Sequence, residues 1–207
     1  MSIASKTAVA ILISGRGSNM GALIAASLDD TYPARIVSVI SDKADAAGLE
    51  HARGFGIAAR AVARSEFDSK ETHEAAVREA IEASGAKFIA LAGYMRLLSA
   101  EFVRAYEGRM INIHPSLLPA FPGLATHERA LAAGCRVHGC TVHFVTEGMD
   151  EGPIIEQEAV RVALDDTADT LAARVLEAEH RIYPKALAMV VRGEVRMTGD
   201  GTSQFRH

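Results

Sequence analysis

Thr7-Ala8-Val9-Ala10-Ile11-Leu12-Ile13-Ser14, running straight into Gly15-Arg16-Gly17-Ser18-Asn19, is the stretch on which the fold turns. Nothing polar interrupts it between Ala8 and Ile13, so it has no solvent face. That pattern suits a strand covered on both sides, as in a parallel sheet. Glycines end it, and Leu23, Ile24 and Leu28 then recur at helical spacing over residues 19–28. Strand, glycine turn and helix together aim free backbone N–H groups and a positive dipole end at an anion. Gly21 falls one residue too late after Gly15 and Gly17 for the dinucleotide fingerprint, and no Gly-Lys-Ser/Thr follows for a P-loop. One phosphate ester is the expected ligand of Gly17, Ser18 and Asn19. The plain alternative is an ordinary tight turn.

Downstream, residues 35–41 and 57–62 read as strands around an Ala-rich helix over 44–54. The spacing predicts a helix over 69–84, with Ala75, Val77 and Ile81 toward the core. A buried strand over 87–91 leads into Ala92-Gly93-Tyr94-Met95-Arg96-Leu97-Leu98, and Ser99 is placed to cap a helix reaching Tyr106. After Ile111-Asn112-Ile113-His114-Pro115-Ser116-Leu117-Leu118-Pro119, Thr126 is the expected cap of a helix over 127–133. Two strands, 136–146 and 154–163, are joined by a short glycine-containing connection that favours antiparallel pairing. A last helix covers 168–191, capped by Asp166 or Thr167, with Pro184 inside it as an expected kink. Alternating strands and helices make this an α/β protein: one doubly wound, mostly parallel sheet with an antiparallel strand pair toward the C-terminal end. Residues 1–207 form one domain.

Composition limits the partners. The chain has 49% apolar residues, 5% aromatic residues and a formal net charge of -4. That balance argues against a nucleic-acid partner. No apolar run reaches the roughly 20 residues of a membrane span, and the first residues do not read as a secretory signal. Two cysteines, Cys135 and Cys140, make no disulfide framework, so a reducing cytoplasm is expected.

Chemistry concentrates at Ile111–Pro119. Strand alternation puts Asn112 and His114 on one face, and Pro115 ends the ladder beside them. A polar edge strand with a solvated histidine is the bland alternative. Asp150, in a glycine-flanked loop, matters if that loop folds beside them. A carboxylate there would favour a charged imidazole, and Asn112 with His114 would be preorganised donors for an oxyanion. Cys135, His138, Cys140 and His143 imitate zinc spacing. On one strand, however, His138 and Cys140 face away from His143 and cannot close a tetrahedron. No metal is expected. No G-x-S-x-G elbow appears, and neither cysteine has a nucleophile's setting, so covalent catalysis is disfavoured.

Ile111 to Pro119 (INIHPSLLP), with Gly123 after it, closely resembles the catalytic segment of the folate-dependent formyltransferases. SGRGSN at 14–19, AGYMRLL at 92–98, HGCTVHFVTEGMD at 138–150 and EHRIYP at 179–184 resemble their phosphoribosylglycinamide formyltransferase subfamily. The resemblance implies a Rossmann-like formyltransferase fold that moves a formyl group from 10-formyltetrahydrofolate to the amine of 5-phosphoribosylglycinamide in de novo purine (IMP) biosynthesis. It implies Asn112, His114 and Asp150 as catalytic residues, and Gly17, Ser18, Asn19 and Glu179 as ribonucleotide-binding. It implies Lys70, Met95, Arg96, Leu97, Leu98, Asn112, Thr146, Glu147, Gly148, Met149 and Asp150 as folate-binding. Residues 1–105 would hold the phosphate, and residues 106–207 would carry catalysis and folate.

Further implications are small-molecule substrates, neither metal nor ATP, and a cytoplasmic monomer or weak homodimer. Lys70 stands where the family can carry Arg, which keeps the charge and loses the bidentate fork. Ala120 stands where many relatives have Lys. Methionyl-tRNA formyltransferase would need a further RNA-binding domain and a basic face. Formyltetrahydrofolate hydrolase typically carries an extra N-terminal domain. A silent nucleotide-phosphate sensor would not need Asn112, His114 and Asp150 together.

Overall fold

In the computed structural model, which describes residues 6–199 and 202–206, the apolar run is strand β1 (Thr7–Ile13), followed by helix α1 (Ser18–Ser27). The next elements are β2 (Ala34–Ser41), α2 (Ala47–Gly54), β3 (Ala58–Ala61), α3 (Lys70–Ala83), β4 (Phe88–Leu91) and α4 (Ala100–Ala105). Then come β5 (Met110–His114), α5 (Thr126–Ala132), β6 (Val137–Phe144), β7 (Ile154–Arg161) and α6 (Ala168–Arg192). Seven strands form one sheet in the order β3-β2-β1-β4-β5-β6-β7. The first five in that order are parallel, whereas β6 runs antiparallel to β5 and β7 antiparallel to β6.

Alternation on β1 explains its unbroken apolar run. Val9, Ile11 and Ile13 join a core shared with α1, α2 and α6, while Ala10 and Leu12 join a second core shared with α3 and α4. Each face of the strand is therefore buried under a different helix layer. Helix α6 crosses the first face. Its Tyr183 is fully buried and donates its O–H to the Leu91 carbonyl at 2.8 Å, tying the helix to β4.

Strand order reverses between β1 and β4, and that switch point opens a crevice at the carboxyl ends of the strands. The glycine turn after β1 and the segment after β4 flank it. Ser14 links the two directly: its N–H donates to the Gly93 carbonyl at 3.0 Å, and its Oγ accepts from the Met95 N–H at 2.8 Å.

Several expectations need correction. Ala75 is exposed; His73, Glu74, Val77, Ala80 and Ile81 form the inward face of α3, because Glu74 has Ser99 as an inner partner. Thr126 is the first residue of α5 rather than its cap: Ala125, at φ 55, takes the cap position. The Thr126 hydroxyl instead donates to the Pro115 carbonyl at 2.7 Å. β5 is an interior strand, so the bland edge-strand alternative fails. A two-stranded hairpin, β8 (Val195–Met197) with β9 (Ser203–Phe205), follows α6, where the residue pattern suggested no further element.

Candidate active site

β5 aims Asn112 and His114 at the same face, and its register with β6 places Thr141 opposite His114 and His143 opposite Asn112. The connection between β6 and β7 doubles back over this face. Gly152 permits the reversal, since a Cβ there would lie 1.8 Å from the Phe144 carbonyl oxygen. The Phe144 N–H donates to the Pro153 carbonyl at 2.9 Å, and Arg104 on α4 pairs with Glu147 at 2.7 Å. So pinned, the loop brings Asp150 to the two strand residues.

The result is a compact polar cluster. His114 is 5% exposed, with Nδ1 3.4 Å from Asp150 Oδ2 and Nε2 3.0 Å from the Phe121 carbonyl oxygen. Both ring nitrogens therefore face acceptors. Asp150 Oδ2 also accepts from the Gly123 N–H at 2.8 Å, which fixes the carboxylate independently of the histidine. Asp150 sits at φ 56, in the left-handed region, where Asp is among the few residues tolerated.

His143 belongs to this cluster, although nothing in its local sequence marks it as a member. Its Nδ1 donates to the Phe144 carbonyl at 2.8 Å, which leaves Nε2 as an acceptor for Asn112 Nδ2 at 3.2 Å. Burial pushes the pKa of His143 down, against the opposing pull of the Phe144 carbonyl and the Asp150 charge. A neutral His143 thus turns the Asn112 amide so that its nitrogen points into the cluster. Strand alternation correctly separates His143 from His138 and Cys140. What it cannot supply is the cross-strand partner, because register is a tertiary property.

The glycine turn lies at the same end of the sheet, after β1, with β4 between that strand and β5. Gly17 is the N-cap of α1 at φ 72, and the first-turn N–H groups of Ser18 and Asn19 lie at the helix end. Asn19 Nδ2 donates to Glu179 Oε2 at 2.7 Å, across 160 residues of sequence. Glu179 is 7% exposed; burial raises its pKa, while the Asn19 hydrogen bond opposes that rise. The Glu179 charge also adds to the effect of burial, which pushes the Cys140 thiol up to about 12. Asn19 Oδ1 is buried without a hydrogen-bond partner among the described residues. An acceptor held there unused is suited to a donor from a ligand.

The segment Met95–Leu98 forms another wall of the crevice. Met95 and Leu97 are exposed and Leu98 is half-buried, so of its two leucines only Leu98 packs against the core. Arg96 Nε donates to Asp42 Oδ2 at 2.6 Å. Thr146, Glu147, Gly148 and Met149 lie in the loop that carries Asp150, and Met149 is exposed beside Gly123. Lys70 opens α3, 3.8 Å from Glu74, which accepts from both the N–H and the hydroxyl of Ser99. Among the described residues no group of His, Cys, Asp and Glu could hold a metal ion. The Cys/His spacing is accounted for by core packing of Cys140 and by the stacking of His138 against His127 and Phe121.

Comparison with known proteins finds one family over most of the chain. The model of the formyl transferase family matches residues 7–187. The phosphoribosylglycinamide formyltransferase of Escherichia coli is 44% identical over 189 residues, covering 91% of this chain and 89% of that protein. The trifunctional purine biosynthetic protein adenosine-3 of Bos taurus is 48% identical over 196 residues. Those residues are 95% of this chain but 19% of that much longer protein, so the chain spans about a fifth of its length. The crystal structure of phosphoribosylglycinamide formyltransferase from Brucella melitensis superposes with a TM-score of 0.87 at 57% identity, covering 90% of this chain and 96% of that one.

Proposed function

Because the chain belongs to the formyl transferase family, we propose that it moves the formyl group of 10-formyltetrahydrofolate onto the amine of 5-phosphoribosylglycinamide, a step of de novo purine biosynthesis. The products are N-formyl glycinamide ribonucleotide and tetrahydrofolate. The observation that carries this reading is the meeting of Asn112, His114 and Asp150 at the same end of the sheet as a glycine turn backed by Glu179. The first set fits a developing oxyanion, and the second fits a phosphate and an amine.

In this reading the neutral amine attacks the formyl carbon directly. A C–N bond forms, and the carbonyl pair moves onto oxygen. Asn112 Nδ2, oriented by His143, and an N–H of His114 are the donors that meet this oxyanion. A formyl oxygen reaching His114 Nε2 displaces the Phe121 carbonyl from it, so the ring exchanges a neutral acceptor for an anionic one. Collapse breaks the bond to folate N10. That nitrogen gains a proton, the attacking nitrogen loses one, and Asp150 holds the ring through which the exchange is balanced. The formyl group arrives activated on N10, so the balance calls for neither ATP nor a metal, and no enzyme nucleophile intervenes.

Gly17, Ser18 and Asn19 take the phosphate, whose binding far from the reacting carbon contributes positioning energy. Glu179 takes the glycinamide end. Exposed apolar groups at Met95, Leu97 and Met149, with the polar backbone between them, suit the flat folate ring and its edges. Lys70, Arg96, Leu98 and residues 146–150 complete that side.

A formyl-transfer assay with purified protein tests the reading, with glycinamide ribonucleotide, initiator methionyl-tRNA and water as competing acceptors. Formylation of the ribonucleotide alone is expected. Preferential release of formate, or formylation of the tRNA, would replace it with one of the related reactions.

A further inference from the structure

The Arg96 guanidinium is held from beneath by a carboxylate that nothing in the proposed reaction uses. Asp42 directly follows β2 at the crevice end of the sheet, and its side chain is wholly buried. Oδ2 accepts from Arg96 Nε at 2.6 Å, whereas Oδ1 is buried without a partner among the described residues. The Asp42 carbonyl accepts from the Arg64 N–H at 3.0 Å, so the chain after β3 fixes the residue's backbone.

Such a pair is a poor device for stability. A buried carboxylate with half its acceptor capacity unused keeps most of its desolvation cost, and its partner is nearly half exposed. Placement is what the pair does well. Ser14 fixes the main chain at Met95, and Asp42 takes the Nε–H, so Arg96 is held at both its root and its head. Among the described residues Nε is the one Arg96 guanidinium nitrogen that makes a hydrogen bond, which leaves both Nη groups available as donors.

We propose that Asp42 is a positioning residue that fixes Arg96 for the folate side of the site. The inference rests on the assignment of Met95–Leu98 to folate. Without Asp42, the four-torsion side chain of Arg96 would sweep through many rotamers, and ordering it again would weaken the ligand.

The test is titration of the full chain with tetrahydrofolate and, separately, with glycinamide ribonucleotide, alongside NMR of the Arg96 Nε–H. Asp42→Ala should weaken tetrahydrofolate on the order of tenfold and leave the ribonucleotide unchanged. Asp42→Asn retains an oxygen for Nε and should restore most of the affinity. The Nε–H resonance should be protected in the parent and in Asp42→Asn, and lost to exchange in Asp42→Ala. In an Arg96→Ala background, Asp42→Ala should cost no further folate affinity, which a merely structural role would not produce. Unchanged tetrahydrofolate affinity, equal weakening of both ligands, or additive losses in the double variant would each overturn the proposal. A parent that binds tetrahydrofolate without formylating the ribonucleotide would defeat the reaction assignment and leave the Asp42 test standing. A parent that does not bind it would overturn both.

Discussion

Asp150 separates mechanism from packing more cleanly than any other residue of the site. It lies in a loop, is held by the Gly123 N–H, and occupies the left-handed region. Asparagine tolerates that region as well as aspartate does, and its amide oxygen can accept the same N–H. Asp150→Asn should therefore change the melting temperature little. Only the charge beside His114 is lost, and with it the hold on the ring. The single-turnover rate should fall by ~10²–10³, the usual cost of a misplaced oxyanion donor. Near-normal turnover would make Asp150 an ordinary loop acid. The shared face of Asn112 and His114 was legible from strand alternation, whereas the approach of Asp150 to them from its loop was suggested only by a resemblance. The place of His143 was not legible: burial and a neighbouring carbonyl set its protonation and tautomer, and neither is written in local sequence.

Helices α1 and α6 carry Asn19 and Glu179, the residues proposed to hold the ribonucleotide. Gly17 caps α1 at φ 72, and a Cβ there would lie 3.1 Å from the Met20 side chain and 3.4 Å from Gly48 Cα. Gly17→Val would be strained in that backbone region and crowd the turn. Isothermal titration should show ribonucleotide affinity falling by at least about tenfold and tetrahydrofolate affinity changing much less. The reverse pattern would remove the phosphate from this turn. Thr167 caps α6 in a reciprocal box with Thr170. Thr167→Ala should cost about 1 kcal/mol in chemical denaturation, with the ligand affinities retained if Glu179, about three turns further along, keeps its place. α6 was readable end to end because caps and apolar periodicity agree. The β8–β9 hairpin was not, since three-residue strands carry too little alternation to register.

The molecule as a whole inherits a dependence on pH from imidazoles that folding buries wholly or in part. His127, His138, His143 and His180 all have their pKa pushed down, with burial the largest cause in each. His138, at about 4, is the extreme case; the nearby His127 lowers it further, against the Pro115 carbonyl. A group depressed by folding contributes stability above its unfolded pKa, and that contribution is lost as pH falls toward the folded value. For His138 the window therefore runs from about 6.5 down to about 4. Glu179 works in the opposite direction: a carboxyl raised by folding contributes stability in acid, which is lost as pH rises through its folded pKa. Four histidines against one such acid leave the balance with the histidines, so denaturation midpoints should fall steadily between pH 7 and pH 5. His138 alone should account for roughly 1–2 kcal/mol of that decline. The slope is the diagnostic rather than the absolute stability, because His138→Gln also removes a ring packed on His127 and Phe121. That variant should be less stable at pH 7.5 and lose less on acidification than the parent does. Parallel curves for the two proteins would show that His138 does not stay neutral through folding, and that the acid sensitivity arises elsewhere.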